Sequence, residues 1–381
     1  MITKAHSVYS PSAAKRWLSC PASIRLTEEA EKSGLLDDNT SPYALSGTAA
    51  MAVLEEMLRA PGAAYEEAFV AAMALRQDAA EGFRLINNDD SRRAICKAAE
   101  RLRAIVRQAD LWGVEECVVI SEEDPLIWGT ADFWALTDAC QTLTVVDYKH
   151  GAGYLISAEG NQQLLLYAAG LMRRRLHNYQ IKKVRLAICQ PRHPEASADG
   201  WDEVEEDPAF VAAFMQAVLD RLEQAANEPP VTGEHCQYCP ALLACSARRA
   251  EFEEMAKMAE FLTPEQADAE MIAKAVRMKK RVTDWIAAAE RVGLKMIQAG
   301  VDVPGLRIRT RAGALAWTAS DSEVIAALSQ FVPEDEIKSV SVLTPTQVID
   351  KFGDVAGVRE AVEKLAQRKP SYLYLTAKDS N

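Results

Sequence analysis

The chain has 381 residues, enough for two or three domains at roughly 150 residues each, so it is not a peptide-sized binding module. With 49% hydrophobic and 26% charged residues, its composition is that of a globular protein and excludes disorder as the main state. A formal net charge of -12 argues against diffuse coating of nucleic acid, which depends on Lys and Arg, and leaves room only for a local basic groove.

Residues 1–45 read as irregular apart from a short helix in SPSAAKRWLSC, with Ser10 as N-cap, Pro11 at the first helical position and Cys20 at its end. A helix is predicted from Ser46 to Arg59, stopped by Pro61 and Gly62, and further helices run to about Asp110, so residues 1–110 form a helical layer. The periodicity then changes: GVEECVVIS, PLIWGTADFWALT and QTLTVVDYK are β-branched and aromatic runs spaced as a three-strand meander. A helix from Ser157 to Leu176, a strand in VRLAICQ and a helix from Pro208 to Ala226 lead into the Cys-rich GEHCQYCPALLACSARR. Residues 111–250 therefore read as an α/β core of order helix, three-strand meander, helix, strand, closed by a Cys-rich clasp. Thr263, Pro264 and Gln266 open a long helix that extends to about Gln298 within residues 251–300. Residues 301–381, with two short strands around Arg307 to Trp317 and small helices after Ser320 and Thr344, read as a small C-terminal accessory domain.

No apolar run approaches the ~20 residues of a transmembrane helix, and MITKAHSVYSPSAAKRW lacks the apolar stretch of a signal peptide. The expectation is a cytoplasmic protein with no membrane partner. In a reducing compartment eight cysteines are not a disulfide framework, which points any clustered subset toward a metal or cluster site.

Asp147 and Lys149 lie two apart on the third predicted strand, so they share a face and Tyr148 takes the other. The meander lays Asp132, on the preceding strand, beside Asp147. Neighbouring carboxylates among apolar strands repel each other unless a divalent cation neutralises them, and Lys149 beside them could hold or deprotonate a water. The alternative is a solvated strand end. Gln163 and Tyr167, four apart on the following helix, would look toward the carboxylates, or serve as packing.

The ordered set G-T-x-D at Gly129 to Asp132, D-Y-K at Asp147 to Lys149 and Q-x-x-x-Y at Gln163 to Tyr167 resembles the RecB-like branch of the PD-(D/E)XK nuclease superfamily. The opening SPSAAKRWLSCP, the segment VVDYKHGAGYLISAEGNQQLLLYA and Gln190-Pro191-Arg192 resemble a phage-associated family formerly labelled a domain of unknown function. The resemblance implies a restriction-endonuclease-like core in which Asp132, Asp147 and the backbone carbonyl of Tyr148 hold Mg²⁺ or Mn²⁺. It also implies that Lys149 positions the attacking water and that Gln163 and Tyr167 support the site. Related sequences carry G-T-x-x-H-x-x-x-E on an N-terminal helix; here Met51 stands at the His position and Glu55 is retained, so Glu55 is the expected extra metal-site carboxylate.

Cys236, Cys239 and Cys245 form C-x₂-C-x₅-C, and the remote Cys20 would complete four thiolates. This pattern resembles the clasp of iron-sulfur RecB-like nucleases and implies a [4Fe-4S] cluster, with Zn²⁺ as the alternative. Arg173, Arg174 and Arg175, followed by Lys182 and Lys183, read either as a phosphate track or as a cationic helix end. The function implied is metal-dependent DNA cleavage, exonucleolytic by family analogy, in phage replication or recombination, with DNA and a phage single-strand annealing or replication protein as partners. The other reading is a catalytically weak DNA-binding or recombination-assembly protein that keeps the fold and the cluster, and Met51 and the overall acidity favour it.

Overall fold

A computed structural model of the chain describes residues 7–377 except 38–40, 122–126, 198, 225–226, 261–268, 314, 320, 338–342, 353–354 and 369–371. Its centre is a five-stranded mixed sheet of order β1-β2-β3-β4-β5, formed by Leu111–Ser121, Ile127–Thr137, Thr142–Tyr148, Lys183–Cys189 and Trp201–Glu206. The first three strands make the expected antiparallel meander. β3 and β4 are parallel, with Asp147 opposite Ile188, and this geometry requires the helical crossover α7 (Gln162–Gly170) between them.

Helices cover both faces, which is why every residue of β3 is buried. On one face α7 packs with α1 (Ala14–Ser19) and α8 (Pro208–Gln224): Trp17, Leu164, Leu165 and Val211 meet Val118, Trp134, Val145 and Leu186. Helix and sheet come so close here that a Cβ on Gly170 would sit 2.7 Å from both Val118 and Ile120. The other face carries α3 (Pro42–Arg59), α4 (Tyr65–Leu75), α5 (Ala80–Ile86) and α6 (Asp89–Val106), with Val53, Leu54 and Ile95 against Phe133, Ala135 and Val146. The chain is thus α/β, with the meander, helix and strand in the expected order.

Three boundaries differ from the sequence reading. Residues 22–32 form α2 (Ala22–Lys32) instead of an irregular stretch, because Ala22, Leu26 and Ala30 pack against Ala241 and Cys245. α3 starts at Pro42, not Ser46, since Ser41 accepts a hydrogen bond from Ala44 N–H and Pro42 fills the first helical position. α7 likewise starts after Asn161, whose side chain caps Leu164 N–H, and it ends in a π-helical turn over Leu171–Arg175. β5 was not expected at all.

Beyond the Cys-rich segment, α9 (Ser246–Glu260) and α10 (Ala269–Gln298) pack against each other through Phe252 and Trp285, whose rings are 4.9 Å apart. The capping box at Thr263, Pro264 and Gln266 lies outside the described residues. The C-terminal stretch has its own core, in which Val324 and Leu328 of α11 (Asp321–Leu328) and Ile337 of α12 (Glu334–Ile337) meet two further helices. These contribute Val348 from α13 (Pro345–Phe352) and Val358 from α14 (Val358–Leu365). Two strand pairs accompany that core: β6 (Leu306–Arg311) with β9 (Tyr372–Ala377), and β7 (Leu315–Trp317) with β8 (Ala366–Arg368). Among the described residues no helix is long and apolar enough to cross a membrane.

Candidate functional site

The regular pairing of β2 with β3 stops at Phe133 and Val146. One residue further on, the strands part, and the Asp132 carboxylate takes the place of a backbone acceptor: Tyr148 N–H donates to its Oδ2 at 2.7 Å. Asp147 lies on the same side, 2% exposed, and its Oδ1 accepts from Gln163 Nε2 at 2.7 Å. Lys149 Nζ lies 2.8 Å from Asp147 Oδ2, and among the described residues no other group meets this buried oxygen. Tyr167 hydrogen-bonds Gln163 in turn. Its hydroxyl needs Gly129, since a Cβ there would stand 2.9 Å from the oxygen. Asp132, Asp147, Lys149, Gln163 and Tyr167 therefore converge on one notch, and the three motifs that seemed separate in sequence meet there.

Electrostatics follow from burial and crowding. Burial, then the neighbouring Asp147, push the Asp132 carboxyl well above the usual carboxylate range. Burial alone would lower Lys149, but Asp147 and Asp132 outweigh it and raise its pKa, so the ammonium stays charged. The Tyr167 hydroxyl is also shifted upward, chiefly by burial.

The sequence reading missed Glu115. It sits in β1 at the level of Asp132, between the pairs Val114–Phe133 and Glu116–Ala131, with a left-handed φ of 49°. This kink switches the faces of β1: Val114 packs on the α3 side and Val118 on the α7 side. Burial and the nearby Glu55 push the Glu115 carboxyl up to about 7. Glu115 also contributes to the upward shift of Asp132. Its signal was the Glu115-Glu116 doublet interrupting an otherwise apolar strand. Glu55, the expected extra ligand, is buried on α3 and held by Arg59 at 2.6 Å and Arg76 at 3.7 Å. Burial raises its pKa against both arginines. Met51, one turn earlier, is part of the apolar layer with Val53 and Leu54.

The backbone beyond β3 is organised by the QPR segment. Gln190, 3% exposed, donates to Gly151 and Tyr154 carbonyls at 2.8 and 2.7 Å and accepts from Ile156 N–H at 3.0 Å. Arg192 pairs with Asp90 and donates to the His150 carbonyl. His150 is buried between Tyr148 and Ser91, and its pKa falls to about 4 through desolvation and Arg192.

Cys20, Cys236, Cys239 and Cys245 line one small cavity with His235 and Arg248. α2 lays its apolar face on the Cys-rich segment, and Asp37 N–H donates to the Pro240 carbonyl at 2.9 Å, so the N-terminal and Cys-rich stretches are joined directly. Val231 N–H points at Cys20 Sγ (3.5 Å) and Gly233 N–H at Cys236 Sγ (3.4 Å). Burial raises Cys236, and it pushes Cys239 up to about 11 although Ala241 N–H and Arg16 oppose it. His235 Nε2 is engaged with the Val231 carbonyl at 3.0 Å. Among the described residues no three His, Cys, Asp or Glu side chains converge tightly enough to hold a single metal ion.

The basic group lies at the far end of α7 and in the segment after it; Arg173 is ten residues, roughly 15 Å at the helical rise, from Gln163. Arg175 pairs with Glu116 at 3.1 Å and Lys183 with Glu205 at 3.0 Å, while Arg173, Arg174 and Lys182 are exposed. A family profile described as protein of unknown function (DUF2800) matches residues 6–380. The chain belongs to that family.

Proposed function

We propose that the protein is a metal-dependent DNA nuclease with a PD-(D/E)XK, RecB-like core, acting exonucleolytically in phage-type replication or recombination. The observation that carries this reading is the crowding of the Asp132 and Asp147 carboxylates in one notch with a single ammonium, that of Lys149, against them. Two crowded carboxylates with only one ammonium to neutralise them suit a hard divalent cation. Asp132 and Asp147, with the Tyr148 carbonyl and Glu55 by resemblance, would hold Mg²⁺ or Mn²⁺, and Glu115 adds negative potential. When bound, the cation supplies charge neutralisation at the phosphoryl group and a more acidic water. Gln163 fixes Asp147, and Tyr167 fixes Gln163. Lys149, whose side chain is 34% exposed, can reach a water at the mouth of the notch and orient it toward phosphorus.

The four cysteines suit a [4Fe-4S] cluster: they share one cavity, amides point at two of the sulfurs, and Arg16 and Arg248 lie close enough to lower the thiols.

A second reading, binding without efficient cleavage, draws support from Glu55, which Arg59 and Arg76 hold in ion pairs. The deciding experiment is anaerobic purification followed by assays on end-labelled single- and double-stranded DNA with Mg²⁺ or Mn²⁺, beside Asp147→Ala. Cleavage that needs metal and disappears in the variant supports the nuclease. DNA binding with no cleavage under any metal supports the second reading.

A further inference from the structure

A cavity of about 1030 Å³ opens next to the carboxylate notch, and Lys149 belongs to its wall, so the two are continuous. Three tyrosines from three separate segments face it: Tyr43 on the first turn of α3, Tyr154 in the loop after β3, and Tyr238 in the Cys-rich segment. They are 75%, 60% and 67% exposed. One exposed aromatic residue is unremarkable, but three brought to one cavity form a surface of open ring faces. Their placement is built in. The buried Gln190 holds the Tyr154 carbonyl, Ser41 caps the first turn of α3 that carries Tyr43, and Asp37 in the wall is tied both to Pro240 and, at 2.6 Å, to Arg291 of α10.

The polar part of the wall fits phosphate. Lys149, paired with Asp147, and Arg16, which also donates to Ser23 Oγ, contribute cations, and the acidic residues Asp37 and Asp284 are paired with Arg291 and Lys280. Aromatic faces interleaved with cations along a groove suit an unpaired strand, whose bases are free to stack; in a duplex the base faces are already occupied.

We propose that this cavity is a groove for a single-stranded polynucleotide, with bases resting on Tyr43, Tyr154 and Tyr238 and the backbone directed toward Lys149. The direction toward the carboxylates rests on the nuclease reading; the stacking does not. The test is fluorescence anisotropy in EDTA with four labelled probes: a dT strand, an rU strand, an abasic strand of equal length and a blunt duplex. They are titrated with the wild type and with Tyr43→Ala, Tyr154→Ala, Tyr238→Ala, their triple combination and the matching Phe variants.

Each Ala substitution is expected to weaken single-strand binding by about 5- to 100-fold, and the Phe variants to stay within about twofold. The abasic strand should bind the wild type as weakly as the dT strand binds the triple variant, and duplex binding should not change. Whichever of dT and rU binds more tightly identifies the sugar preferred. Unchanged single-strand affinity in a folded triple variant, or an abasic strand that binds as tightly as dT, overturns the proposal. Tyrosine-dependent binding without metal-dependent cleavage leaves the groove standing and removes the nuclease; cleavage without tyrosine dependence does the reverse.

Discussion

The carboxylate notch and the cysteine pocket are assembled in opposite ways. The notch comes from two adjacent strands and the helix that follows them, and its carboxylates are held by the Lys149 ammonium, the Gln163 amide and Tyr148 N–H. The pocket joins Cys20 to a segment about 200 residues away, and burial holds Cys236 and Cys239 as neutral thiols. Sheet register therefore sets the first site, whereas the second depends on the packing of α2 against the Cys-rich segment.

That contrast can be broken at several points. The largest effect is expected in the notch: Lys149→Ala should slow metal-dependent cleavage by about 10²–10⁴-fold in single-turnover assays while DNA affinity is kept. A parallel loss of affinity would make Lys149 a binding residue. In the pocket, Cys20→Ser should bleach absorbance near ~400 nm and reduce stability by about 2–4 kcal/mol, the scale of a long-range cross-link, whereas Cys96→Ser should do neither. Retained iron and an unchanged unfolding midpoint in Cys20→Ser would end the comparison, and stoichiometric zinc without sulfide would reassign the pocket.

A smaller effect sharpens the electrostatic side. Glu115→Gln removes one carboxylate from the row and should weaken Mn²⁺ binding by roughly three- to tenfold, read by calorimetry. Tighter binding would mean that Glu115 acts only as a repulsive neighbour of Asp132. The smallest change is expected from Gln190→Ala. Losing its three hydrogen bonds should reduce stability by about 1–3 kcal/mol in chemical denaturation and leave Mn²⁺ affinity as it was.

What was legible in the sequence were features carried by short-range pattern. The meander followed from β-branched runs with turns between them, the meeting of Asp132 with Asp147 followed from that meander, and the shared face of Asp147 and Lys149 from two-residue alternation. The C-x₂-C-x₅-C spacing grouped Cys236, Cys239 and Cys245 in the same way, whereas the distant Cys20 joined them only through the family resemblance. The missed elements depend on partners. β5, WDEVEE, has almost no apolar side chains of its own and forms because β4 offers it a ladder, with Asp202 opposite Ile188. α2 begins beside Pro21, which reads equally as the end of α1, and only the packing of Leu26 and Ala30 on the Cys-rich segment decides between them. Glu115 escaped notice because its role comes from a left-handed backbone that no residue preference announces.

The long reach of the cysteine pocket also has a timetable. Cys20 leaves the ribosome about 200 residues before Cys236, which at ~5–20 residues per second is a wait of roughly 10–40 s. Throughout that interval the N-terminal thiol has none of its three companions, and α2 lacks the segment that covers its apolar face. The sheet and its helices can be synthesised in the meantime, since every strand from Leu111 to Glu206 precedes the Cys-rich segment. Docking of α2 on the Cys-rich segment is thus the closing event of the core's biosynthesis, and chains in which it fails should keep a formed sheet beside an N-terminal segment open to proteases.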